Sequence, residues 1–133
     1  MRRVLPVIVV LALAGCGDTI VNVPTAPTAP PPAAPVADLV QFRVDGNAAS
    51  VRIRQSDPLN GLTQTTTTLP YVAGFSNTQS FAFVSLEATP ATFPLTVTAP
   101  FLSVQIVVNG TVFREASSVD RTATIAVSGT YRR

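Results

Sequence analysis

Residues 104–116 read VQIVVNGTVFREA, two apolar runs joined by Asn109-Gly110. Both turn residues accept positive φ, and Asn-Gly between such runs is the strongest short-range signal of a two-residue β-hairpin. A loop of that length pairs Val108 with Thr111, Val107 with Val112 and Ile106 with Phe113. This register offers Ile106 and Phe113 to a buried face and turns Arg114 the other way. Asn109-Gly110-Thr111 also spells a glycosylation sequon, but the turn alone accounts for the triplet, and the turn reading is preferred.

The same strand pattern continues on both sides of the hairpin. LVQFRVDGN, 39–47, places Val40, Phe42 and Val44 on one face and breaks at Asp45-Gly46-Asn47. SVRIRQ, 50–55, puts Val51 and Ile53 on one face and Arg52 and Arg54 on the other. A turn at DPLNG, 57–61, precedes the threonine-rich LTQTTTTLP, 62–70. YVAGF is a short strand, and SFAFVSLEA, 80–88, is apolar on both faces, as a central strand should be. FPLTVT (93–98), LSVQIVV, TVFREA and TATIAVSGTY complete the series. The domain shows no convincing 3.6-residue apolar period. Strands of this length between turn signals predict an all-β fold, an antiparallel immunoglobulin-like sandwich of about seven or eight strands.

A chain of 133 residues suits one such domain with length to spare. Valine, threonine and alanine dominate beside 12 prolines, a composition that favours strands and turns over helices. Of the 9 cationic residues, all arginine, Arg2 and Arg3 belong to an N-terminal segment expected to be removed, and the remaining seven (9 − 2) balance the 7 acids. Neutralising phosphates needs clustered positive charge in excess, so nucleic acid is excluded as the expected partner.

That first segment, MRRVLPVIVVLALAGC, has a basic start, an apolar run from Val4 to Ala14 and then small residues. The run is too short, and too interrupted by Pro6, to cross a bilayer core that needs roughly 20 residues. It has the layout of a secretory signal. Leu13-Ala14-Gly15-Cys16 resembles the lipobox of bacterial lipoproteins, which implies cleavage between Gly15 and Cys16 and acylation of the Cys16 sulfur and new amino group. The competing reading is a plain signal peptide with an incidental cysteine; the complete, well-placed motif favours the lipobox. Two or more acyl chains anchor stably, where one is marginal. After Cys16 the chain carries six prolines between Pro24 and Pro35. In extended polyproline II at about 3.1 Å per residue, Pro24 to Ala37 reaches roughly 40 Å. A spacer explains this segment better than a proline-motif ligand. The expected organisation is therefore a signal peptide over 1–15, a lipidated cysteine and tether over 16–37, and a β-sandwich over 38–133. The expected location is the cell envelope, lipid-anchored, on the periplasmic face of the outer membrane if the cell is Gram-negative.

Candidate chemistry is sparse. There is no histidine and no lysine, and the single cysteine is assigned to lipid, so the usual bases, nucleophiles and zinc ligands are missing. Asp38, Asp45, Asp57, Glu87, Glu115 and Asp120 are scattered without calcium-loop spacing, and Asp45 and Asp57 fall in turns, where a carboxylate commonly bonds its own backbone. No cofactor, no metal and no catalytic residue is expected. Arg43, Arg52 and Arg54 are read as sharing the solvent face of adjacent strands, either as a grip for an acidic partner or lipid headgroups or simply as the wet side of a half-buried sheet. The TQTTTT run reads as a polar strand face, with an edge made unattractive to aggregation by its hydroxyls as one option. Phe81 and Phe83 are assigned to the core, in preference to the lining of a ligand pocket.

The segments VRIRQSD, LPYVAGF, FAFVSLEA and VQIVVNGTVFREASS together resemble the MmpS-like family of small exported β-sandwich proteins. The matching residues are Val51 and Ile53, Leu69-Pro70-Tyr71, Val84-Ser85-Leu86 with Ala88, and Ile106 to Glu115, within a resemblance spanning roughly Val40 to Tyr131. Such proteins typically begin with a membrane helix, where this chain has the lipobox, and often carry a cysteine pair; Ser103 stands where one cysteine is expected. The resemblance implies an accessory role beside large membrane transporters that export lipids or siderophores. The expected function is that of a non-catalytic envelope protein held to the membrane by acyl chains, binding a transporter or another envelope component. The alternative is a periplasmic carrier with a lipid or small ligand held between the sheets.

Overall fold

The alternation that begins at Asp38 becomes β1 (Asp38–Gly46), in a computed structural model that describes residues 29–133. The signal segment, Gly15, Cys16 and the first part of the tether lie outside the described residues. Residues 29–37 are exposed and without regular secondary structure. Contacts divide the chain after Ala33, and Ala34–Arg133 forms a unit of its own.

Seven strands follow β1: β2 (Ser50–Asp57), β3 (Gly61–Thr67), β4 (Tyr71–Asn77), β5 (Phe81–Thr92), β6 (Leu102–Val108), β7 (Thr111–Ser118) and β8 (Ile125–Arg132). They form two antiparallel four-stranded sheets, sheet A in the order β4-β1-β6-β7 and sheet B in the order β3-β2-β5-β8. The fold is an all-β sandwich. In a constant-type immunoglobulin domain the first two strands share a sheet; here β1 and β2 part to opposite sheets. The threonine-rich β3 is an edge strand, exposed along nearly its whole length.

The period-two pattern decides which side chains meet between the sheets. Val40, Phe42 and Val44 of β1 and Val104 and Ile106 of β6 face Val51, Ile53, Val84 and Leu86 of sheet B, all 0–1% exposed. Burying each such side chain contributes at most roughly 1.5–3 kcal/mol. Phe42 and Phe75 stack at 6.0 Å between centroids. Pro90 sits inside β5 because the register against β2 shifts there: Val51 faces Pro90 and Ser50 faces Thr92. A bulge tolerates a residue that lacks an N–H donor.

The central hairpin forms with Asn109 at φ 51° and Gly110 at φ 82°, the paired positive values its sequence demands. Its register departs from expectation after two pairs. Val108 faces Thr111 and Val107 faces Val112, but Ile106 faces Arg114, because β7 carries one extra residue at Phe113. The bulge turns the Phe113 ring towards β8, where it meets Tyr131 edge-on at 6.2 Å, and Arg114 covers the ring at 4.3 Å. The expected Ile106–Phe113 pair is thus replaced by an edge seal. A second correction concerns FPLTVT, which is not a strand. Pro94 to Val97 close a turn through Val97 N–H to the Pro94 carbonyl at 3.1 Å, and Leu95 stands fully in solvent.

Candidate functional site

The outer face of sheet B is where polar and apolar groups combine most distinctively. On β5, Ala82, Val84, Leu86 and Ala88 take the inward positions, so Phe81 and Phe83 must point out. They are 63% and 56% exposed, and assigning them to the core was the wrong choice of phase. The run 80–88 is apolar at both parities, so alternation alone could not choose between them. Leu62 of β3 adds a third exposed apolar side chain to this face.

Cross-strand register then sets the polar neighbours. Arg54 lies opposite Glu87, with Nη1 to Oε1 at 3.6 Å. Arg54 is exposed and Glu87 partly so, and the pair contributes no more than about 1 kcal/mol. Arg132 lies opposite Phe81, and Thr130 opposite Phe83. Two shallow clefts flank the phenylalanines. One of about 550 Å³ is lined by Ser80, Phe81, Thr130, Arg132 and Arg133. The other, of about 240 Å³, includes Arg54, Leu62, Phe83, Glu87 and Ser128.

The three arginines singled out in the sequence do not share a face. Arg52 and Arg54 project from β2 on the outside of sheet B. Arg43 projects from β1 on the outside of sheet A, where its Nη2 donates to Gln41 Oε1 at 2.7 Å. Their expected union fails because β1 and β2 belong to opposite layers. Near Arg43's layer a polar cleft of about 420 Å³ runs past Ser103, Gln105, Glu115 and Ser117. Its hydrogen-bonding capacity is partly used internally, since Gln105 Nε2 donates to Glu115 Oε2 at 3.2 Å.

The carboxylates serve local structure. Asp57 Oδ1 accepts from Leu59 N–H at 2.9 Å and Asn60 N–H at 2.7 Å, closing the β2–β3 turn. Asp45 Oδ1 accepts from Gly46 N–H at 2.8 Å. Asp120 accepts from both the N–H and the hydroxyl of Thr122, and these bonds hold its carboxyl below the usual range. Among the described residues, no three side chains of the His, Cys, Asp and Glu types gather as metal ligands would. What the outer face of sheet B offers chemically is adhesion: aromatic and aliphatic surface beside guanidinium groups.

No known family model matches the chain, and no curated protein matches it.

Proposed function

We propose that this chain is a non-catalytic, lipid-anchored cell-envelope protein whose β-sandwich docks onto another envelope component. The observation that carries this reading is the outward projection of Phe81 and Phe83 beside Leu62, Arg54 and Arg132. Monomeric soluble domains keep contiguous exposed apolar patches small, and a larger one rimmed by polar groups marks an interaction surface. The Leu13–Cys16 signature supports acyl anchoring, and the proline-rich segment supports a tether that raises the domain's effective concentration near its target. The motifs shared with MmpS-like sequences support an accessory role at a membrane transporter. The carrier alternative needs room between the sheets, and that layer is filled by Phe42, Ile53, Leu86, Ile106 and their neighbours.

Two substitutions in the full chain test the two halves of the proposal. Cys16→Ala should abolish incorporation of radiolabelled palmitate and leave an uncleaved precursor; normal incorporation would refute the anchor. The pair Phe81→Ser and Phe83→Ser should leave folding and acylation intact yet fail to complement the envelope phenotype of a deletion strain at equal abundance. Full complementation would remove the docking role from this face.

A further inference from the structure

Two Asn-Gly dipeptides stand in exposed hairpin turns, Asn60-Gly61 between β2 and β3 and Asn109-Gly110 between β6 and β7. Asn-Gly is the dipeptide most prone to spontaneous loss of side-chain ammonia, because glycine has no Cβ to shield the backbone nitrogen that attacks. At both glycines the place of a Cβ is open, with nothing within 4 Å. The two asparagines differ in what holds the carboxamide. Asn60 Nδ2 donates to the Asp57 carboxylate, at 3.1 Å to each oxygen, three residues back in the same turn. Asn109 is held at both ends by a distant strand: Nδ2 donates to Asp38 Oδ1 at 2.8 Å, and Oδ1 accepts from Leu39 N–H at 2.9 Å. Asp38 is 7% exposed, and its other oxygen lies 3.9 Å from Arg133 Nε. Gly110 sits inside the closing pair Val108–Thr111, outside the strand ladder.

We infer that Asn109 is a self-modification site, protected by the entry of β1, whose conversion to an acid releases that entry irreversibly. In the reaction the Gly110 nitrogen attacks Asn109 Cγ and a C–N bond forms. The Cγ–Nδ2 bond breaks, and ammonia leaves with the proton that Gly110 gives up. Water then opens the cyclic succinimide at either carbonyl, leaving aspartate or isoaspartate at position 109. Turning the carboxamide onto Gly110 means leaving Asp38 and Leu39, so the reaction waits on local opening of this latch. Afterwards the donor that met Asp38 is gone. A carboxylate faces the buried Asp38 carboxylate instead, and such a pair either moves apart or takes up a proton. Isoaspartate also adds a methylene to the main chain of a loop whose length and φ values are fixed by its turn type. The consequence reaches beyond the turn, because the exposed segment 29–37 leads directly into Asp38. Conversion at 109 therefore loosens the junction between the proline-rich segment and the sandwich, whereas the same chemistry at Asn60 disturbs one local turn.

The full chain is kept warm at mildly alkaline pH, and fragmentation mass spectrometry reads the amide-to-acid mass gain at residues 60 and 109 separately. Asp38→Ala should speed conversion at 109 about tenfold, the equivalent of losing one hydrogen bond to a charged group, and leave the rate at 60 unchanged. Asp38→Asn still offers an acceptor and should stay near the parent rate at 109. Asn109→Asp supplies the product directly. Its β1 entry should exchange amide hydrogens faster than in the parent chain, while β2 and β5 keep their protection. Equal rates at 109 in the parent and in Asp38→Ala, or equal acceleration at 60 and 109, overturn the protection. A carboxamide at 109 that survives even in fully denaturing urea overturns the site, and parent-like exchange in Asn109→Asp overturns the release. If Asp38→Ala does not fold, a urea series on the parent chain decides. Conversion at 109 should speed up below the unfolding midpoint, and acceleration only with global unfolding overturns the latch as the gate.

Discussion

Asn109 Nδ2 donates to Asp38 Oδ1 at 2.8 Å, so a hairpin turn holds the first residue of a strand that precedes it by 71 positions. The same side chain accepts from Leu39 N–H through Oδ1 at 2.9 Å, and Asn109 N–H donates to the Leu39 carbonyl at 2.9 Å. Asn109 thus has two separable duties, a positive-φ turn position and a latch on the entry of β1. Asn109→Gly keeps the backbone freedom and loses the latch, and should cost about 1–2 kcal/mol of unfolding free energy. Asn109→Ala loses both and should cost more, by about 1 kcal/mol. Denaturant titration of the two variants checks the order; equal stabilities would mean that the φ requirement contributes nothing.

Gly129 gives the Phe113 bulge its room. A Cβ at 129 would stand 3.0 Å from two atoms of the Phe113 ring and 3.4 Å from Arg114 Nε. The ring is already held between Arg114 and Tyr131. Gly129→Ala should therefore destabilise the domain by about 1–3 kcal/mol, the usual cost of overpacking. Combining it with Phe113→Leu should recover part of the loss. A neutral Gly129→Ala would show that the β7–β8 edge repacks freely.

Much of this architecture was legible wherever a strand was apolar on one face only. β1 and β2 alternate cleanly, and their inward sets Val40, Phe42, Val44, Val51 and Ile53 are all buried. The turn at Asn109-Gly110 was legible from the φ its residues accept. Three features were hidden for physical reasons. β5 is apolar at both parities, so the phase that exposes Phe81 and Phe83 is set by the neighbouring strands. The bulge at Phe113 depends on how β7 meets β8 across the sandwich edge, a non-local contact. The separation of Arg43 from Arg52 and Arg54 depends on which sheet each strand joins, and alternation carries no information on that.

Phase on β5 has a direct thermodynamic signature. Phe83→Ser removes an exposed ring and should change unfolding free energy by less than about 0.5 kcal/mol. Phe42→Ala empties a core position and should cost about 3–5 kcal/mol. Thermal melts of the two variants give the comparison. A loss at position 83 as large as that at 42 would place Phe83 inside the sandwich and dismantle the proposed docking face.

The two tyrosines, the only ones in the chain, link stability to alkaline pH. Burial raises both phenols above the ordinary value of 10.0. A raised folded value means that the native state keeps its proton where the unfolded chain has released it. The resulting stabilisation is complete below pH 10 and is lost as pH rises through the folded value. Tyr131 should dominate, because it is the more deeply buried of the two and its hydroxyl makes no hydrogen bond of normal geometry; Asn77 beside it only partly offsets the burial, being engaged with Gln79. Tyr71 is less buried, and its hydroxyl donates to Gln55 Oε1 at 3.0 Å. Tyr131→Phe removes an unsatisfied polar atom while keeping the ring beside Phe113. It should stabilise the domain by about 1 kcal/mol at neutral pH and flatten the alkaline fall in stability. Urea titrations from neutral pH to above pH 10, with phenolate absorbance followed near the transition, test both claims. A Tyr131→Phe variant that is less stable at neutral pH and falls as steeply in alkali would mean that the hydroxyl has a partner and that Tyr71 governs the pH response.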